Sequence, residues 1–157
     1  MEGYILKQLV LIILLGVLVS DSRSESRVIS DDIWGILTVY QEAAGEGYLG
    51  KVAVAEVILR RTAQKLSSDG TVASTVLWPK QFSGWNSVDP TRIKSAKLCY
   101  DSPKSQECLD AWQEAKQGSN YSKGALYYYN PKLVKPEWAR KMKVTVEIGN
   151  HTFLVEK

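Results

Sequence analysis

Two carboxylates, Glu42 and Glu46, flank a small-residue break in "YQEAAGEGYLGKVAVAEVILRR", residues 40–61. Acids at the end of one helix and the start of the next sit in opposite fields, because unpaired carbonyls gather at a helix C-terminus and unpaired N–H groups at an N-terminus. Glu42 falls in the last turn of the first expected helix, among Tyr40, Ala43 and Ala44, where the dipole and the low polarity both disfavour an anion. That environment raises its pKa and suits a general acid near neutral pH. Glu46 lies just ahead of the second helix and is expected to stay ionised, as a cap or an orienting group.

The remaining chemistry narrows quickly. His151 is the only histidine, and neither an H-E-x-x-H motif nor a second histidine is present, so a zinc amidase or peptidase lacks its ligands. No metal and no cofactor are expected. A Ser/His or Cys/His nucleophile would have to use His151 as its base without any supporting motif. Carboxylates near loops rich in aromatic, Asn and Tyr residues point instead to cleavage of a glycosidic bond. In "KQFSGWNSVDP" the candidates are Phe82, which also suits a lid on the core, and Trp85, set between Gly84 and Asn86 as a sugar-stacking surface.

These residues need elements to hold them. Ser30 reads as an N-cap followed by Asp31 and Asp32, and Ile33, Ile36, Leu37 and Tyr40 recur at helical spacing, which predicts a helix over 31–44 that stops at Gly45. The next helix, from about Tyr48, is apolar nearly all round and should be central and buried. A short helix in "TVASTVLW" ends at Pro79, and helices are expected over 91–100 and 105–117, the second closed by Gly118. "GALYYYNP" is strand-like. "VTVEIGNHTFLV" alternates on both sides of Gly149-Asn150, predicting a hairpin with Ile148 opposite His151, Val146 opposite Phe153 and Val144 opposite Val155. His151 then points to the apolar side and reads as a core residue. In "YYYN", alternation puts Tyr127 and Tyr129 on one face with Asn130 at the strand end, so these three are expected to position substrate while Tyr128 packs in the core.

At 157 residues and 45% hydrophobic composition, the chain suits one domain with a normal core. Its net charge of +3 comes with no Lys/Arg stripe interleaved with aromatics, so a nucleic-acid partner is not expected. Residues 1–27 differ: Lys7, an apolar run from Leu9 to Val19 and a polar Ser/Asp/Arg stretch have the layout of a signal peptide. The run is short of the roughly 20 residues that span a bilayer, so cleavage is expected; the weak cleavage site leaves a retained signal-anchor, with transient inner-membrane association, as the alternative. An exported location makes a Cys99–Cys108 disulfide the expected state, two buried thiols being the other reading.

Residues 40–61 resemble the E-A-x-G-E-x-x-x-G-x-V-A-V-A-x-V-x-x-N-R signature of the SleB-like cell wall hydrolases. "WPKQFSGWN", "GALYYYNP", "EWAR" and "IGNHTF" follow in that family's order, and the likeness covers about residues 33 to 154. The resemblance implies an α+β, mainly α-helical, lysozyme-like (lytic-transglycosylase-like) domain over 28–157 with a small C-terminal antiparallel β-hairpin. It implies an enzyme acting on peptidoglycan glycan strands at the MurNAc-GlcNAc β-1,4 bond, with the first glutamate of the motif, matching Glu42, as acid/base; with the export segment, a monomer in the periplasm or secreted is expected. A single such group can protonate the leaving oxygen and then serve as base on the sugar's own C6 hydroxyl, the lytic transglycosylase route. A water-using muramidase and a noncatalytic peptidoglycan-binding protein are the alternatives. With no separate wall-binding domain expected, a small endolysin or a murein hydrolase fits better than a modular spore enzyme. One departure is Arg60, where the family often has Asn.

Overall fold

The computed structural model describes residues 31–86 and 103–157. The expected N-terminal export segment, the helix over 91–100 and Cys99 of the expected disulfide lie outside the described residues. Cys108 is fully buried.

Helix α1 covers 31–43 and breaks at Gly45, as its apolar spacing and the following glycines predict. Helix α2 (Tyr48–Ala63) is the central element, with Val52 to Ile58 all buried. Helix α3 (Val72–Leu77) is capped by the Thr71 side chain, which accepts from the Ser74 N–H at 3.1 Å, and stops before Pro79. Helix α4 (Pro103–Lys116) starts on a proline, whose missing N–H costs nothing in a first helical turn, and is followed by Gly118 at φ +94°.

Packing follows from side-chain size. The Trp112 ring of α4, fully buried, lies flat on α1 at Gly35, where any Cβ would overlap it. Its Nε1 donates to Asp32 at 2.7 Å, and Lys116 pairs with the same carboxylate at 2.9 Å. Asp32, one of the two acids expected to start α1, therefore also fastens α4, while Asp31 accepts from the Ala73 N–H of α3 at 3.3 Å. Truncating a Trp this buried costs about 3–5 kcal/mol. Lys51, 2% exposed, ties α2 to α4 through Glu107 at 2.9 Å.

Strands β1 (Tyr127–Tyr129), β2 (Met142–Ile148) and β3 (His151–Glu156) form an antiparallel sheet in the order β1-β3-β2. The expected hairpin is β2–β3, and the YYY strand joins it on the far side of β3. His151 to Leu154 are all buried, as a central strand requires. Ile148 faces His151 and Val146 faces Phe153, but Val144 pairs with Leu154, not with the expected Val155, which faces Lys143. The cause is a bulge between Val144 and Val146. Thr145 is the extra residue, and its Oγ1 donates to the Ser122 carbonyl at 2.8 Å, a bond that holds the strand out of simple alternation.

The loop leading into β1 is held by two α2 side chains. Glu56, 3% exposed, accepts from Ser119 Oγ, from the backbone N–H groups of Tyr121 and Ser122, and from Ser122 Oγ. Arg60 donates to the Ala125 carbonyl at 2.6 Å and to Ser122 Oγ at 3.2 Å. At the position where the resemblance expects Asn, this longer cation anchors the same loop.

Candidate active site

Glu42 lies in the last turn of α1, at the floor of an open cavity of about 480 Å³. Three segments converge there. The first is the loop after α3: Ser83 and Gly84, in a single 3-10 turn (Ser83–Trp85), bring their backbone N–H groups and the Ser83 hydroxyl to the carboxylate. Gly84 is needed for this approach, because a Cβ there would overlap the Gln41 amide. The second is β1, whose Tyr128 hydroxyl donates to Glu42 Oε2 at 3.0 Å across 86 positions of sequence. The third is the 3-10 helix Glu137–Lys141, which contributes Trp138.

Burial pushes the Glu42 carboxyl above its ordinary value of 4.5, opposed by the Tyr128 hydroxyl and the Ser83 and Gly84 groups. The direction matches the expectation, with desolvation as the largest cause. Tyr128 is itself pushed well above 10, by burial first and then by Glu42, so it remains a donor at any physiological pH. Among the described residues Glu42 is the only acid lining the cavity.

The opposite wall is cationic and aromatic. The Arg61 guanidinium, 6% exposed, sits over the Phe82 ring at 5.5 Å and the Tyr127 ring at 5.7 Å, and donates to the Gln81 side chain. Trp138, 42% exposed, stands 6.0 Å from both Tyr127 and Tyr129, edge-on to the latter. It offers a half-open indole face at the cavity, which suits stacking against the apolar face of a sugar.

Sequence-chosen residues separate into three groups. Glu42, Phe82 and Tyr127 line the cavity, Phe82 also serving as the core lid it was expected to be. Tyr129 and Asn130 stand beside it: Tyr129 backs Trp138, and Asn130 Oδ1 accepts from the Lys132 N–H in the following turn. Trp85 and Glu46 lie elsewhere. Trp85 is 7% exposed, packs on Trp34 at 5.0 Å, and donates its Nε1 to Thr38 at 2.8 Å. The expected stacking surface is therefore a core residue, because the 3-10 turn rolls its indole inward.

Glu46 does not cap α2, whose N-cap is Gly47 without a side-chain bond. Its carboxylate instead accepts from the Asn150 backbone N–H at 2.9 Å and side-chain amide at 3.0 Å, tying the α1–α2 break to the β2–β3 turn. Gly149 makes room, at φ +60° and with its Cα against Glu46. Partial burial pushes this carboxyl up, but the two Asn150 bonds, with His151 and Lys132 nearby, hold it below 4.5. It is ionised, as expected, and spent on structure. His151, 8% exposed, stacks 5.0 Å from Tyr128, and burial pushes its pKa down.

The residues not chosen from sequence are Tyr128, Arg61, Gln81, Ser83 and Trp138. Trp138 and Arg61 lie in "EWAR" and "ILRR", and their aromatic and cationic character is the signal the sequence offers. Tyr128 had none, since the face of a three-residue strand is set by its partner: it pairs with Phe153 in β3.

Residues 45–154 match the Cell Wall Hydrolase family, the match beginning just after Glu42. The spore cortex-lytic enzyme of Oceanobacillus iheyensis is 33% identical over 115 residues, which is 73% of this chain and 38% of that one. That of Bacillus subtilis is also 33% identical over 115 residues, 73% of this chain and 34% of that protein. The chain thus spans about two fifths or less of the length of these relatives. Among solved structures, the catalytic domain of the germination-specific lytic transglycosylase SleB from Bacillus anthracis superposes with a TM-score of 0.63 at 29% identity, covering 80% of this chain and 94% of that domain. The catalytic domain of the Bacillus cereus SleB protein gives 0.64 at 31% identity, covering 80% and 91%. The lysozyme-like expectation and the mainly helical architecture with a small antiparallel sheet agree with these neighbours. The chain belongs to the cell wall hydrolase family.

Proposed function

We propose that this protein degrades peptidoglycan by cleaving the MurNAc-GlcNAc β-1,4 bond as a lytic transglycosylase, with Glu42 as its acid and base. The observation that carries this reading is that Glu42 is the only acid lining the described cleft, with its pKa pushed up by burial. Among the described residues, a mechanism with two carboxyl groups at the bond finds no second one in this cleft. In the first step the Glu42 carboxyl gives its proton to the glycosidic oxygen as the bond to C1 breaks, and the GlcNAc end leaves as an alcohol. In the second, the Glu42 carboxylate takes the proton of the MurNAc C6 hydroxyl while O6 bonds to C1. The product is a 1,6-anhydro sugar and no water is consumed.

Tyr128 holds Oε2 through its hydroxyl and thereby fixes the carboxyl plane. Ser83 and Gly84 supply N–H groups that support the carboxylate between the two steps. Trp138, backed by Tyr127 and Tyr129, stacks a sugar ring.

The substrate puts the enzyme outside the cytoplasm, with residues 1–27 as signal peptide or signal-anchor, 28–157 as the catalytic domain, and a Cys99–Cys108 disulfide. It acts as a monomer, as a small endolysin or murein hydrolase does. Mass analysis of digested sacculi tests the chemistry. Anhydro-muropeptides are the expected products; reducing MurNAc ends alone would assign a water-using muramidase, and no soluble fragments would assign a binding protein.

A further inference from the structure

The stretch "PKLVKPEWARK", residues 131–141, leads from β1 across the cleft mouth to β2. It carries four bases, Lys132, Lys135, Arg140 and Lys141, against one acid, Glu137, a net charge equal to the +3 of the entire chain. Its apolar side chains are turned outward: Leu133 is 79% exposed and Val134 53% exposed. Leu133 has the highest exposure of any large hydrophobic residue described. Both sit in a turn that is firmly built, the Leu133 and Val134 N–H groups donating to the Asn130 carbonyl at 3.1 and 3.0 Å and Lys132 Nζ to Asn150 at 2.8 Å. Prolines 131 and 136 bracket it. A chain that holds two adjacent aliphatic side chains in water on a braced turn, ringed by cations, pays a solvation penalty that needs a reason.

We propose that the 131–136 turn docks the protein on an anionic phospholipid surface, with Leu133 and Val134 entering the headgroup–acyl boundary and Lys132, Lys135 and Lys141 meeting lipid phosphates. The combination decides the partner. A soluble polyanion or an anionic wall polymer would be attracted by the lysines but would gain nothing from Leu133 and Val134, whereas a bilayer rewards both, through apolar burial and surface potential together. Since Trp138 lies both on this stretch and at the cleft, docking here brings the cleft mouth to the membrane face of the wall. This contact is independent of the N-terminal apolar run and of the chemistry at Glu42.

Hydrogen exchange of the full chain with vesicles locates the contact. Vesicles containing phosphatidylglycerol are expected to slow exchange in 131–138, and phosphatidylcholine vesicles are not. Leu133→Ser with Val134→Ser should abolish that protection and weaken partition onto phosphatidylglycerol vesicles roughly tenfold, with sacculus digestion unchanged. Lys135→Gln with Lys141→Gln should weaken it less and remove part of its salt dependence. Three results would overturn the proposal: exchange in 131–138 unaffected by anionic vesicles, the double serine variant binding as wild type, or soluble polyphosphate giving the same protection in both wild type and that variant, which would assign the turn to an anionic polymer.

Discussion

Two glutamates, one on α1 and one on α2, are withdrawn from water to very different ends. Glu56 is surrounded by hydrogen-bond donors, two backbone N–H groups and two hydroxyls, all from residues 119–122, and its carboxylate is fully satisfied by the loop it holds. Glu42 draws donors of the same number and kind, the Ser83 and Gly84 N–H groups and the Ser83 and Tyr128 hydroxyls, yet one side opens to a cavity and burial outweighs them, raising its pKa. The difference is what each carboxylate faces: the loop it holds for Glu56, an open cleft for Glu42. A carboxylate enclosed by the loop it binds is a structural pin, and one that opens onto a cleft with its pKa raised by burial can exchange a proton with a ligand there.

The largest effect separates the two in kind. Glu42→Gln keeps shape and packing but removes the transferable proton, so sacculus lysis should fall by roughly 10² to 10⁴ with binding to insoluble peptidoglycan retained. Glu56→Ala should instead leave several buried donors unpaired and lower stability by about 3 kcal/mol, read in a denaturant titration, with the activity of the folded fraction little changed. If Glu56→Ala abolished lysis in fully folded protein, the division between pin and acid would fail.

A smaller loss is expected at Tyr128→Phe, which removes one hydrogen bond to the Glu42 carboxyl. It should lower kcat roughly tenfold and move the pH profile of activity upward, because the hydroxyl is a group that holds the Glu42 value down. An unshifted profile would reduce Tyr128 to packing. Smaller again is Glu46→Gln, which weakens the bonds to Asn150 at a partly exposed site and should cost about 1 kcal/mol of stability.

The subtlest contrast is in pH dependence. The native Glu42 pKa is raised, so its contribution to stability is full below the ordinary glutamate range and is lost as pH rises through the raised value. Glu42→Gln should therefore gain stability over wild type from about pH 4.5 upward. The native Glu46 pKa is lowered, so its contribution is present above the ordinary range and lost as pH falls through the lowered value. Glu46→Gln should be the less stable protein at neutral pH and converge with wild type in acid. Melting curves across the acid-to-neutral range would show the two variants diverging in opposite directions.

Local signals in the sequence carried the helical frame and the carboxylate contrast. The α1–Gly45–α2 break, the Pro79 stop and the Gly149-Asn150 turn depend on neighbours within a few residues; the opposite pKa directions of Glu42 and Glu46 are legible from the helix ends, but the groups that set them lie far along the chain. What escaped depends on distant ones. Thr145 bulges because Ser122 offers it a carbonyl, Trp85 turns inward because Thr38 and Trp34 wait for it, and Tyr128 meets Glu42 because β1 takes its register from β3. For Glu46 the nearest helix end is the obvious partner by sequence, but the turn 104 positions away takes its carboxylate instead.

That reach has a consequence for the order in which the site can form. β3 is the centre of the sheet and, among the described elements, the last to be synthesised, so β1 and β2 have no common partner until residues 151–156 have left the ribosome. Until then Tyr128 has no frame to hold it against Glu42, and the break that carries Glu42 lacks its tether to Asn150. The cleft wall is thus the last part of the described fold able to form, and a chain stopped before residue 151 would carry Glu42 without the strand that frames it.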